Sequence, residues 1–142
     1  MRTRTLIAAL STLLLASCAH HYQHHGPGGR YAAVPNPAYP QVSVVGGRHV
    51  VVSPEPLVFL RGGGEVVITW QLPRGSTYRF PENGIVVEGK QDEIVRCGVR
   101  SEGLEFSCLN RHTRAGKYKY TIRVLDGSRP LEPLDPTIYN DD

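Results

Sequence analysis

Cysteine can form a covalent cross-link and, with histidine, favours copper, nickel and zinc as a ligand, and there are three cysteines and six histidines in 142 residues. His20, His21, His24 and His25 crowd one short stretch. Neutral imidazoles so spaced on a flexible segment can wrap Cu(II), Ni(II) or Zn(II), and the same composition also makes a plain solvated spacer. Cys97 and Cys108 belong to a different pattern. Val95, Cys97 and Val99 share one parity, Leu104, Phe106 and Cys108 share another, and Glu102-Gly103 lies midway. With that pair as a hairpin loop, Ser101 faces Leu104, Val99 faces Phe106, and Cys97 faces Cys108 on one apolar face. At a hydrogen-bonded pair the two Cα atoms stand about 5.5 Å apart, within disulfide range. The pattern therefore predicts a Cys97–Cys108 disulfide, with His112 just beyond it.

The elements that must position these residues are short strands. From Lys117 to Val124 the chain alternates strictly, with Tyr118, Tyr120, Ile122 and Val124 on one parity and polar residues on the other, the mark of a half-buried strand. Glu65 to Leu72 repeats it, broken only by Val67, and places Trp70 in the core. Val42–Val45 and Arg48–Ser53 flank Gly46-Gly47, a tight-hairpin pair, and shorter runs cover Leu57–Leu60, Tyr78–Phe80 and Ile85–Glu88. With 15 glycines, 11 prolines and no long helical period, the fold class expected is all-β, an antiparallel β-sandwich over residues 42–127. Pro130, Pro133 and Pro136 argue against a strand interior beyond Gly127, so residues 128–142 read as a Pro-rich acidic tail that packs at most along an edge.

The N-terminus reads as a targeting segment over residues 1–17. Arg2 and Arg4 precede an apolar run, Leu6 to Leu15, too short to span a bilayer as a helix of roughly 20 residues. Leu15-Ala16-Ser17-Cys18 then resembles the lipobox of bacterial lipoproteins: an aliphatic residue, two small ones, then cysteine. The resemblance implies that Cys18 becomes the acylated first residue of the mature chain. It also implies sorting to the outer membrane, periplasm-facing, because Ala19 rather than Asp follows. Buried acyl chains, at about 0.8 kcal/mol per CH₂, make such an anchor effectively permanent. Residues 18–41, rich in His, Gly and Pro, read as the tether.

A second resemblance lies inside the domain. Glu105-Phe106-Ser107-Cys108, His112, Gly116 and the strand from Tyr118 to Val124 are similar to the copper loop of cupredoxins, and Phe80 to Val86 falls where that family carries its first histidine ligand. The family implies a Greek-key sandwich. Its copper site needs two histidines, a free cysteine and a weak axial methionine. No histidine lies between His49 and His112, and the only methionine is Met1, so a cupredoxin-like fold without resident copper is expected.

Other chemistry is poorly represented. There is no Gly-x-Ser-x-Gly, no helical pair of metal histidines and no Cys-x-x-Cys. Glu82, Asp92 and Glu93 sit in turns and read as solvated carboxylates. The formal charge of +3 falls once Arg2 and Arg4 are removed, which disfavours nucleic acid as a partner. Arg100, Lys117, Lys119 and Arg123 fall on the polar parity of their strands and suggest a basic outer face for an envelope protein or anionic envelope material. The sequence thus points to a non-enzymatic, membrane-anchored binding or envelope-structural protein with no cofactor. The alternative is a periplasmic copper- or zinc-binding protein using His20, His21, His24, His25 and His112.

Overall fold

The computed structural model describes residues 35–89 and 91–141. Twelve strands follow in chain order: β1 Gln41–Val45, β2 His49–Ser53, β3 Leu57–Phe59, β4 Val66–Gln71, β5 Tyr78–Arg79, β6 Ile85–Val87, β7 Ile94–Arg100, β8 Glu105–Asn110, β9 Gly116–Ile122, β10 Leu125–Asp126, β11 Arg129–Pro130 and β12 Thr137–Asn140. They form a β-sandwich. One sheet has the order β2-β1-β4-β8-β7, the facing sheet β3-β12-β9-β6, and a small third sheet β11-β10-β5. Most pairings are antiparallel, but β1 runs parallel to β4 and β3 parallel to β12. The sheets are therefore mixed rather than wholly antiparallel.

The alternation read from the sequence is the alternation of burial. Ile68, Trp70 and Leu72 of the β4 run and Tyr120, Ile122 and Val124 of the β9 run are buried, while Val67, the residue that broke the pattern, is 53% exposed. Trp70 and Tyr120 meet across the core. Their ring centroids are 5.4 Å apart and the indole Nε1–H donates to the Tyr120 hydroxyl at 3.2 Å. Burial pushes the Tyr120 phenol pKa well up, so it stays a neutral hydrogen-bonding partner. A pair of this kind adds about 0.5–1.5 kcal/mol beyond its burial. Asn110 of β8 and Asn140 of β12, both fully buried, exchange amide hydrogen bonds of 2.7 and 3.0 Å and tie the sheets at the other end of the core.

Two hairpin loops follow their sequence signals. Gly46 and Gly47 both take positive φ, 60° and 67°, which glycine adopts without steric cost, and β1 pairs with β2 from Gln41↔Ser53 to Val45↔His49. At the β7–β8 turn Glu102 and Gly103 have φ of 54° and 86°. Gly103 is required twice over, because a Cβ there would meet the Arg79 side chain at 3.0 Å and the Phe80 carbonyl at 3.1 Å.

Both ends of the expected 42–127 domain need correction. Before Val42, the Ala38 and Pro40 carbonyls accept hydrogen bonds from Thr69 and Gln71 of β4 at 2.8 and 3.0 Å, so the chain from Pro35 onward belongs to the domain rather than to a tether ending at Gln41. After Gly127, residues 128–141 are not a tail. β12 lies inside the second sheet, between β3 and β9, with Ile138 and Asn140 buried. The prolines are accommodated because none lies inside β12: Pro130 ends the two-residue β11, Pro136 immediately precedes β12, and the Ile122 and Tyr120 amides donate to the Leu134 and Pro136 carbonyls.

Candidate functional site

The Cys97–Cys108 disulfide is present, in a different local geometry from that expected. β7 pairs with β8 at Arg100↔Glu105, Val99↔Phe106 and Gly98↔Ser107, and then slips by one residue before Val95↔Leu109. Arg96 and Cys97 thus share the space opposite Cys108, with Arg96 at φ 54°, a β-bulge. The bulge brings the two Cα atoms to 4.1 Å rather than about 5.5 Å. Cys108 is buried and Cys97 exposed. Both sulfurs are held in the bridge, so neither is a thiolate ligand.

The two segments that resemble the cupredoxin copper site touch through Phe80 and Phe106, whose ring centroids are 6.1 Å apart, but Asn83 and His112, the positions where ligands would be sought, lie at opposite ends of β9. Asn83 and Gly84 sit beside Arg123, whose amide donates to the Gly84 carbonyl at 2.7 Å and whose guanidinium reaches the Asn83 carbonyl at 3.4 Å. His112 precedes the start of β9, and at about 3.3 Å per residue the strand holds the two apart by roughly 20 Å. The His112 ring faces the chain end instead, with Nε2 3.2 Å from the Asp141 carbonyl. Among the described residues no group of three or more His, Cys, Asp or Glu side chains is placed to hold a metal ion. Cys18, His20, His21, His24 and His25 lie outside the described residues.

Glu93 corrects the expectation of a solvated turn carboxylate. It is 1% exposed and organises the β8–β9 loop. The Thr113 hydroxyl and amide, the Arg114 amide and the Arg114 Nε–H all donate to its oxygens, the amides at 2.8 and 3.3 Å and Nε at 3.2 Å. Arg114 also pairs with Asp92. Burial alone would raise the Glu93 pKa, but these donors and the nearby Arg111 charge hold it below the ordinary carboxylate value. Every lone pair is thereby committed to structure. No local signal marks this role, since the donors lie some twenty residues downstream.

The basic outer face is divided between sheets. Arg100 lies on β7 in the first sheet, and Lys117 and Lys119 on β9 in the second. Lys117 covers the Tyr139 ring at 5.3 Å and Lys119 donates to the Asp135 carbonyl at 2.7 Å, so the C-terminal segment takes up part of this charge.

One concavity has no counterpart among the sequence expectations. An apolar groove of about 570 Å³ runs between the entering chain and the β3 region, walled by Pro35, Pro54, Pro56, Val58, Leu60 and Val66 and ending at His112. On the other side of His112 lies a polar pocket of about 400 Å³ that includes Arg61, Arg114 and Asp141. The sequence signal was present as Pro54, Pro56 and the Leu57–Leu60 run, but it reads equally as a loop and an ordinary strand. No protein-family model matches this chain, and no curated protein matches it.

Proposed function

We propose that this protein is a lipid-anchored envelope protein whose β-sandwich is a non-enzymatic binding module held at the outer membrane, facing the periplasm. The observation that carries the reading is the Cys97–Cys108 disulfide. A structural disulfide belongs to an oxidising compartment, and pairing these two leaves Cys18, inside the lipobox-like Leu15-Ala16-Ser17-Cys18, as the one cysteine outside the bridge. The composition between Cys18 and Pro35 suits a tether.

The state of the polar groups supports a binding rather than a catalytic role. Glu93 is consumed by its four donors, and Glu105 by Ser101 and Gln71. An acid or base poised for reaction needs a proton site open to substrate. The test is mass spectrometry of the protein extracted from membranes. The reading expects an acylated Cys18 at the mature terminus and a Cys18→Ala variant without acylation; an unmodified terminus elsewhere would refute it.

A further inference from the structure

The groove and the polar pocket share His112 and differ in chemistry. The groove has the size and apolar lining of small-molecule sites, which run to about 300–1,000 Å³ with few polar groups. Its rim is unusually apolar for a surface, with Leu60 68% and Val58 40% exposed. The adjoining pocket supplies two guanidiniums, Arg61 and Arg114, against the Asp141 carboxylate. Arg114 is already paired with Asp92 and Glu93, whereas Arg61 makes no ion pair among the described residues. An apolar trough that opens at one end onto a guanidinium complements a molecule with one long alkyl chain and one anionic head. Phe59, the aromatic ring of its lining, is only 7% exposed, so the groove offers no open aromatic platform of the kind that suits a proline-rich peptide.

We propose that the groove and pocket form one binding site for a long-chain fatty acid, with the alkyl chain along Pro56, Val58 and Leu60 and the carboxylate toward Arg61 beside His112. The inference rests on reading the domain as a binding module and is independent of the anchor.

The test is photolabelling of the full mature protein in nanodiscs of zwitterionic lipid with a diazirine-bearing palmitate, the adducts being mapped by peptide mass spectrometry. Label is expected in the peptides carrying Val58 to Gly64 and Arg111 to Ala115, and unlabelled palmitate should compete it away. Leu60→Asp places a charge in the trough, and Arg61→Glu reverses the charge at the head. Each should lower labelling about tenfold, with the melting temperature unchanged because both side chains are exposed. Absence of label from these peptides, or label indifferent to both substitutions, overturns the site. Equal competition by hexadecanol overturns the anionic head. Equal labelling by a diazirine phosphatidylcholine in the disc shows general membrane contact and also overturns it. The adducts are read in the domain's own peptides, so the result stands whether or not Cys18 is acylated, and the terminal peptide of the same sample tests the anchor separately.

Discussion

The β7–β8 hairpin and the C-terminal strand β12 both hold the centre of the domain, and they differ in where their partners lie. β7 and β8 are neighbours in sequence, joined by Glu102-Gly103 and cross-linked at Cys97–Cys108. β12 takes its hydrogen bonds from β9 on one side and from the distant β3 on the other. A local hairpin leaves marks in its own residues: a glycine with positive φ at the turn and matching parity on both arms. A four-residue strand inserted between two others leaves almost none, because nothing in Thr137–Asn140 names its partners. The comparison also separates a covalent constraint from a packing constraint, and the two should fail differently.

The largest effect is expected at Ile138, which is fully buried in β12. Ile138→Asp should abolish the cooperative unfolding transition, and Ile138→Ala should cost about 2–5 kcal/mol in urea denaturation. A loss within about 0.5 kcal/mol, typical of a surface position, would return the segment to a peripheral tail.

The hairpin comes next. Its disulfide closes a short loop, with a sequence separation of 11, so Cys97→Ser with Cys108→Ala should destabilise by about 3 kcal/mol while leaving a folded protein. Alkylation of the unfolded, unreduced wild type should find neither thiol reactive; two reactive thiols would break the pairing.

Between the sheets, Asn110→Ala or Asn140→Ala should each cost about 1–3 kcal/mol, because the remaining buried amide loses its partner. The double variant should cost less than the two singles together, and strict additivity in this cycle would sink the idea that the amides act as a pair.

A smaller effect separates the β8–β9 loop from the hairpin by pH. The folded pKa of Glu93 lies below its unfolded value. Its contribution is therefore present at neutral pH and is lost as pH falls through the folded pKa. Glu105, held down by Ser101 and Gln71, acts in the same direction. Glu55, pushed up mainly by burial, opposes them: its contribution is full below the unfolded pKa and lost as pH rises through the folded one. Urea midpoints from neutral to acidic pH should fall less steeply in Glu93→Gln than in the wild type, and an unchanged slope would count against the loop clamp.

The smallest effect is expected before Pro35. Replacing His20, His21, His24 and His25 with Ser should leave the melting temperature of the domain unchanged, with or without copper. A copper-dependent rise that disappears in the variant would establish metal binding by that stretch.

The sequence by itself determined the local elements: the alternating strands that bury Trp70 and Tyr120, the glycine-centred turns at Gly46-Gly47 and Glu102-Gly103, and the disulfide between Cys97 and Cys108. Each of these depends on residues a few positions apart, and period-two alternation or a positive-φ turn is written directly into such a stretch. Only the tertiary structure decided which strands pair over long separations. It made Thr137–Asn140, within the expected tail, an interior strand, slipped the register beside Cys97 through the bulge, buried Glu93 beneath donors from the β8–β9 loop, and set the chain at Pro35 against Pro56 and Leu60 to form the groove. The physical reason is that these features arise from groups distant in sequence, whose meeting is set by filling one shared core and satisfying buried polar groups together rather than by any local preference.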